Sequence, residues 1–105
     1  MNFNVSEIPE RQLTKGIKGR YIHTDLTTTG FIEIEKDAIL PAHSHVHEQT
    51  TQVTKGKLKM TIGEETIILE PGMFTVIHSN VIHSAIALTD CAVTDTFYPI
   101  REDYK

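Results

Sequence analysis

Apolar side chains in this chain recur at every second residue. Phe31-Ile32-Glu33-Ile34-Glu35 sets apolar against acidic side chains, and Lys57-Leu58-Lys59-Met60-Thr61-Ile62 alternates as cleanly. A period of two marks an extended strand with one wet face, because successive side chains leave a strand on opposite sides. Tyr21, His23 and Asp25 alternate in the same way with Ile22, Thr24 and Leu26. Gly63-Glu64-Glu65 reads as a hairpin turn that returns the chain through Thr66 to Leu69, and Pro71-Gly72 is a turn dipeptide. Met73 to Ile77, Ala85 to Leu88 and Ala92 to Tyr98 are further β-rich runs, and no dozen-residue window carries a helical period. Short strands punctuated by Gly and Pro about every 8–12 residues predict an all-β sandwich or barrel. Alternate residues of each strand point into such a barrel, whose interior can hold a ligand or a metal. Residues 1–18 are polar and weakly patterned and are expected to form an N-terminal arm or a first edge strand of a single domain spanning 1–105.

Composition removes several classes of function. A formal charge of −4 argues against a nucleic-acid binder, which needs a clustered basic surface. A single cysteine, Cys91, excludes an intrachain disulfide framework, and with no base beside it in sequence it reads as a small core residue. Apolar runs are only a few residues long, so no membrane span is expected. Met1 to Glu7 lacks the basic and apolar regions of a secretory signal, which makes the cytoplasm the default compartment. At 105 residues the core is small, and a homodimer is the expected way to cover more apolar surface.

Six histidines stand out. His43-Ser44-His45 puts two imidazoles two residues apart. If that segment is extended, both lie on one face, roughly 6.6 Å apart along the strand, within reach of one ion. Gln49, four residues beyond His45, has the parity to face inward as well. His83 comes much later, but strands distant in sequence can be neighbours in a closed barrel, so His83 could complete the site. His47 continues the alternation. Three consecutive same-face histidines would splay past a single ion, so His47 is placed at the rim, with a ligand role left open. His23 reads as a surface or satisfied core residue.

These residues resemble the motifs of a small single-domain cupin. The first cupin motif reads Gly, five residues, His-x-His, three or four residues, Glu, six residues, Gly. His43, His45, Gln49 and Gly56 fall on those spacings, with Asp37 at the first Gly and Gln49 at the Glu. The second reads Gly, five residues, Pro-x-Gly, two residues, His, three residues, Asn. Gly72 and His83 match it, while His78, Asn80 and Ala87 replace Pro, Gly and Asn. The resemblance covers about residue 30 to the end. It implies an antiparallel cupin barrel, the double-stranded β-helix or jelly roll, with His43, His45, Gln49 and His83 around one divalent transition metal ion. Replacing the carboxylate by Gln49 makes the ligand set neutral, so the ion would keep its full charge and act as a stronger Lewis acid. Imidazole nitrogens with an amide oxygen suit nickel, zinc, manganese, iron or cobalt. A purely structural ion is the alternative, and it fits poorly with ligands that point into an open cavity.

The segment Val93-Thr94-Asp95-Thr96-Phe97-Tyr98-Pro99-Ile100-Arg101-Glu102-Asp103-Tyr104-Lys105 is the second clue. If extended, Asp95 and Phe97 share a face, and Arg101 follows Pro99 closely enough to fold over a cavity mouth. Read alone, it is a surface carboxylate followed by a solvated charge run. Together with the histidine motif, however, it resembles the pectin-degradation cupins of the KdgF type. That resemblance implies conversion of 4,5-unsaturated monouronates, left by pectate or alginate lyases, to linear keto sugars. It implies Asp95 as general acid/base, Phe97 as a pocket wall and Arg101 as the binder of the sugar acid. Three other readings stay open: an iron-dependent cupin dioxygenase, a sugar isomerase, and a non-catalytic cupin that binds a small molecule. Tyr21 and Tyr98 could line the cavity, and parity alone does not decide between them.

Overall fold

The two-residue alternation becomes ten strands in the computed structural model, which describes residues 1–105. They are β1 (Arg11–Thr14), β2 (Ile17–His23), β3 (Thr28–Ile34), β4 (Ile39–His43), β5 (Glu48–Lys55), β6 (Leu58–Ile62), β7 (Glu65–Leu69), β8 (Phe74–Ile77), β9 (His83–Ala87) and β10 (Cys91–Tyr98). Single 3₁₀ turns occupy Val5–Glu7 and Glu102–Tyr104. One sheet runs β1-β2-β3-β10-β5-β8 and the other β4-β9-β6-β7. All pairings are antiparallel, and β10 lies between β3 and β5, far from both in sequence. This is the jelly roll that the motifs imply.

The alternation also decides what fills the barrel. Along β5 the inward residues are Val53, Thr51 and Gln49; along β10 they are Val93, Asp95 and Phe97; along β9 they are Ala87, Ala85 and His83. Each series starts apolar and changes character toward the same end, because Asp95 pairs with Thr51 and Phe97 with Gln49. The apolar end is packed by residues such as Ile34, Leu58, Met60, Leu69 and Cys91. Burying each large aliphatic side chain contributes about 1.5–3 kcal/mol. Ile17, 2% exposed, opens β2 and belongs to this core, so the interior starts within the polar-looking first segment. Cys91 is a buried core residue, as its sequence context suggested.

The departures from the cupin motifs keep the turns. Asp37 and Asn80, which stand at motif glycines, have φ of 70° and 66°. Asp and Asn tolerate this left-handed region best among residues with a side chain. The Asp37 N–H donates to the Ala87 carbonyl and the Asn80 N–H to the His45 carbonyl, both at 2.8 Å. Gly56 has no such latitude. Its φ is +82°, and a Cβ there would run into the Asp90 carbonyl and lie 2.6 Å from Thr89 Oγ1. Gly56→Ala is therefore expected to cost about 2–4 kcal/mol through backbone strain and overpacking. Circular dichroism should show a melting temperature about 10 °C or more below wild type. A loss below about 3 °C would mean that the Asp90 turn yields freely.

Candidate metal centre

β4 ends at His43 and β9 begins at His83, and the two residues pair across the sheet with ring centroids 4.2 Å apart. The extended run expected through His45 does not form. Residues 44–47 are a loop, and Gln49 lies on the next strand. The loop nevertheless swings His45 back, to 5.7 Å from the His43 ring and 4.9 Å from the His83 ring. The candidate ligand atoms of His43, His45 and His83 all lie within 4.8 Å of one another. His47 is outside this group, edge-on to His45 at 5.5 Å.

Hydrogen bonds fix the three rings in one sense. His43 Nδ1 donates to the Pro41 carbonyl at 2.8 Å, His45 Nδ1 to the His47 carbonyl at 2.9 Å and His83 Nδ1 to the Val81 carbonyl at 2.9 Å. A neutral imidazole that donates from Nδ1 keeps its lone pair on Nε2. Burial lowers the pKa of both His45 and His83, which favours the neutral form. His83 is 1% exposed and its Nε2 has no hydrogen-bond partner. Gln49, 5% exposed, places Oε1 3.1 Å from His45 Nε2. Lone pairs therefore converge with no proton between them, and buried acceptors in that state are costly. Such a nitrogen and oxygen set fits a divalent transition metal ion, and backbone carbonyls that orient the far ring nitrogens are the usual support of metal-binding histidines.

The same end of the barrel opens into a cavity of about 60 Å³ lined by His43, Gln49, Thr51, Asp95, Phe97, Arg101, Tyr21 and Tyr104 among others. Asp95 faces inward, as does Phe97. Burial pushes its carboxyl up to about 6, against hydrogen bonds from Thr51 and Gln49 that pull it down. Arg101 is 7% exposed, so the tail is a wall of the cavity rather than a solvated run. Its guanidinium lies 4.0 Å from the Tyr104 ring and 4.8 Å from the Phe97 ring. Burial opposes its charge, but Asp103 accepts from Nε at 3.0 Å and Nη2 at 2.8 Å, and the net effect raises its pKa. One edge of the fork is thus occupied by Asp103.

Several supporting residues escaped the sequence reading. Arg11 on β1 donates to the Asp103 and Lys105 carbonyls, and Thr28 Oγ1 accepts from the Arg101 backbone N–H at 2.9 Å. His23 is satisfied between Thr28 Oγ1 and the Tyr104 carbonyl. The Tyr21 ring stacks on Tyr104 at 4.5 Å and lies across Gly30, where a Cβ would sit 2.6 Å from it. Tyr98 is exposed. A wider groove of about 340 Å³ near Lys18, Glu35 and Cys91 has no comparable cluster of histidines.

A β-barrel whose histidines converge in this way at one end defines a cupin with the makings of a metal site. Residues 30–97 match the cupin domain, and the chain belongs to that family. The structure is similar to that of KdgF from Halomonas sp., with a TM-score of 0.92 at 27% identity, covering 98% of this chain and 96% of that one. It is also similar to an RmlC-like cupin from Shewanella frigidimarina NCIMB 400, at 0.90 and 24% identity over 95% and 91% of the two chains. A salicylate 1,2-dioxygenase from Pseudoaminobacter salicylatoxidans shares the fold at 0.78 and 18% identity, over 82% of this chain and 27% of that one. No curated protein sequence matches the chain. No helix is long and apolar enough to cross a membrane.

Proposed function

We propose that this cupin is a metal-dependent enzyme that converts 4,5-unsaturated monouronates to linear keto sugars. The observation that carries the reading is one cavity holding both Asp95 and Arg101 beside the histidine cluster. The substrate class comes from the sequence resemblance to KdgF-type cupins, and likeness to the Halomonas KdgF over nearly the whole of both chains supports it. The resemblance to the dioxygenase, at 18% identity, speaks to the fold alone.

His43, His45, His83 and Gln49 would hold the metal, which when bound supplies Lewis acidity toward sugar oxygens. Arg101 binds the uronate carboxylate, its guanidinium plane fixed by the two aromatic rings and by Asp103. Asp95 gives its proton to C4 of the enol ether and takes one back from the water that adds at C5. The hemiketal so formed opens to the ketone, and Asp95 ends protonated as it began. The cavity is small against the roughly 300–1,000 Å³ of sites that engulf drug-sized ligands, so the substrate would insert only its reacting edge.

The test is the ultraviolet absorbance of an unsaturated monouronate generated in place from pectate or alginate oligomers. Protein as isolated, protein stripped by chelator and stripped protein given nickel, zinc or manganese are compared. The expected result is faster loss of the signal that stripping abolishes and metal restores. No acceleration by metallated protein would overturn the reading and point to a binding cupin. Oxygen uptake with ferrous iron would point to a dioxygenase.

A further inference from the structure

Thr51 carries one hydroxyl proton between two residues of the site. It lies on β5, 1% exposed, two positions along from Gln49 and facing the same interior. Its Oγ1 donates to Asp95 Oδ1 at 2.7 Å and accepts from Gln49 Nε2 at 2.9 Å. Oδ1 accepts this proton whether Asp95 is ionised or carries its own proton on Oδ2, so the Thr51 proton points to Asp95 and only lone pairs are left for Gln49. Gln49 must then present its amide nitrogen to Thr51 and its carbonyl oxygen to His45 Nε2, 3.1 Å away. The His45 proton is already committed on the other side of the ring, to the His47 carbonyl. Two acceptors therefore face each other. In the absence of a cation, Gln49 would relieve that contact by turning its amide over and donating to His45. The bond to Thr51 opposes the turn.

We propose that Thr51 is a positioning residue: it transmits the polarity of Asp95 to Gln49, holds the amide carbonyl toward the histidine cluster and so sets the affinity of the site for a divalent cation. The proposal rests on the metal site described above and on no particular substrate. It also accounts for an amide at position 49. A glutamate there would compete with Asp95 for one hydroxyl proton and leave a buried acceptor unpartnered. It further makes Asp95 an indirect determinant of metal affinity. In Asp95→Ala the Thr51 proton loses its acceptor and turns to the Gln49 carbonyl, and the Gln49 nitrogen faces the histidines.

The experiment measures zinc affinity of the full chain by competition with a chromophoric chelator, with melting curves in chelator alone as a check on folding. Thr51→Val and Asp95→Ala are each expected to weaken binding about 10–100-fold, the usual effect of losing a partner that orients a ligand. Thr51→Ser should stay within about threefold of wild type. The decisive comparison is made in a Gln49→Glu background. There Asp95→Ala hands the Thr51 proton to the glutamate, so the same substitution should tighten binding. Equal weakening by Asp95→Ala in both backgrounds would reduce its effect to simple loss of a nearby charge and overturn the proposal. Wild-type affinity in Thr51→Val and Asp95→Ala would overturn it as well. If Thr51→Val fails to fold, the change of sign between the two backgrounds decides alone. Because no turnover is read, an inactive protein leaves the result intact.

Discussion

Replacing His83 by Leu is expected to leave the stability of the metal-free protein within about 1 kcal/mol of wild type and to erase its stabilisation by divalent metal. Both halves follow from the same ring. His83 is almost wholly enclosed, and its Nε2 is a buried acceptor with no partner, a state that costs about 1–3 kcal/mol. Leucine removes that acceptor at similar volume and leaves the Val81 carbonyl without its donor, so gain and loss nearly cancel. Metal changes the balance for the wild type alone. A ligand at 100–1,000 times its Kd stabilises the native state by about 2.7–4.1 kcal/mol, or about 10–30 °C in melting temperature at this chain length. Melting curves after chelation, with and without added nickel or zinc, separate the cases. If metal raised wild type and His83→Leu equally, the ion would bind elsewhere; if no ion raised the wild type, the metal-site reading would fail.

What the sequence made legible is what depends on parity. The inward faces of β3, β6 and β10 follow from alternation alone, and so does the placing of Asp95 with Phe97. Strand spacing accounts for the histidine cluster only in part. His43 and His45 do converge, but His45 reaches the cluster from a loop, and Gln49 reaches it from β5 in the other sheet. Local spacing cannot show that a strand ends at His43, because nothing in Ser44 or Val46 breaks one. Thr51 was within reach, since it shares the inward parity of Gln49, but a threonine in a strand usually reports only β-propensity. Tyr104, Arg11 and the Asp103 fork were beyond reach. They meet only when the end of the chain folds across β1 and β2, a contact some 80–95 residues long in sequence. A charged tail with one aromatic looks the same whether it is solvated or forms a wall.

Asp95→Ala, assayed at saturating metal, is expected to lose about 10²–10⁴-fold in turnover, the usual worth of a positioned acid or base. This raises the barrier by about 3–5 kcal/mol. Three features of the site make the group suited to the task. It lines the same cavity as Phe97 and Arg101. Its surroundings disfavour its charge, so it parts with less solvation when it accepts or gives a proton. One of its oxygens is tied to Thr51, which leaves the other to meet the substrate. The fold should tolerate the change, because alanine removes a buried carboxyl and no core contact. KM should move little, since Arg101, and not Asp95, is expected to bind the sugar acid. Saturating metal is essential to the comparison: if Asp95 also polarises Gln49 through Thr51, the variant at limiting metal would lose activity for want of the ion, and the loss would be misread as chemistry. Metal content measured on the same samples separates the two causes. Turnover within about threefold of wild type in a fully loaded Asp95→Ala protein would remove Asp95 from the proton transfer and leave the cavity without an acid.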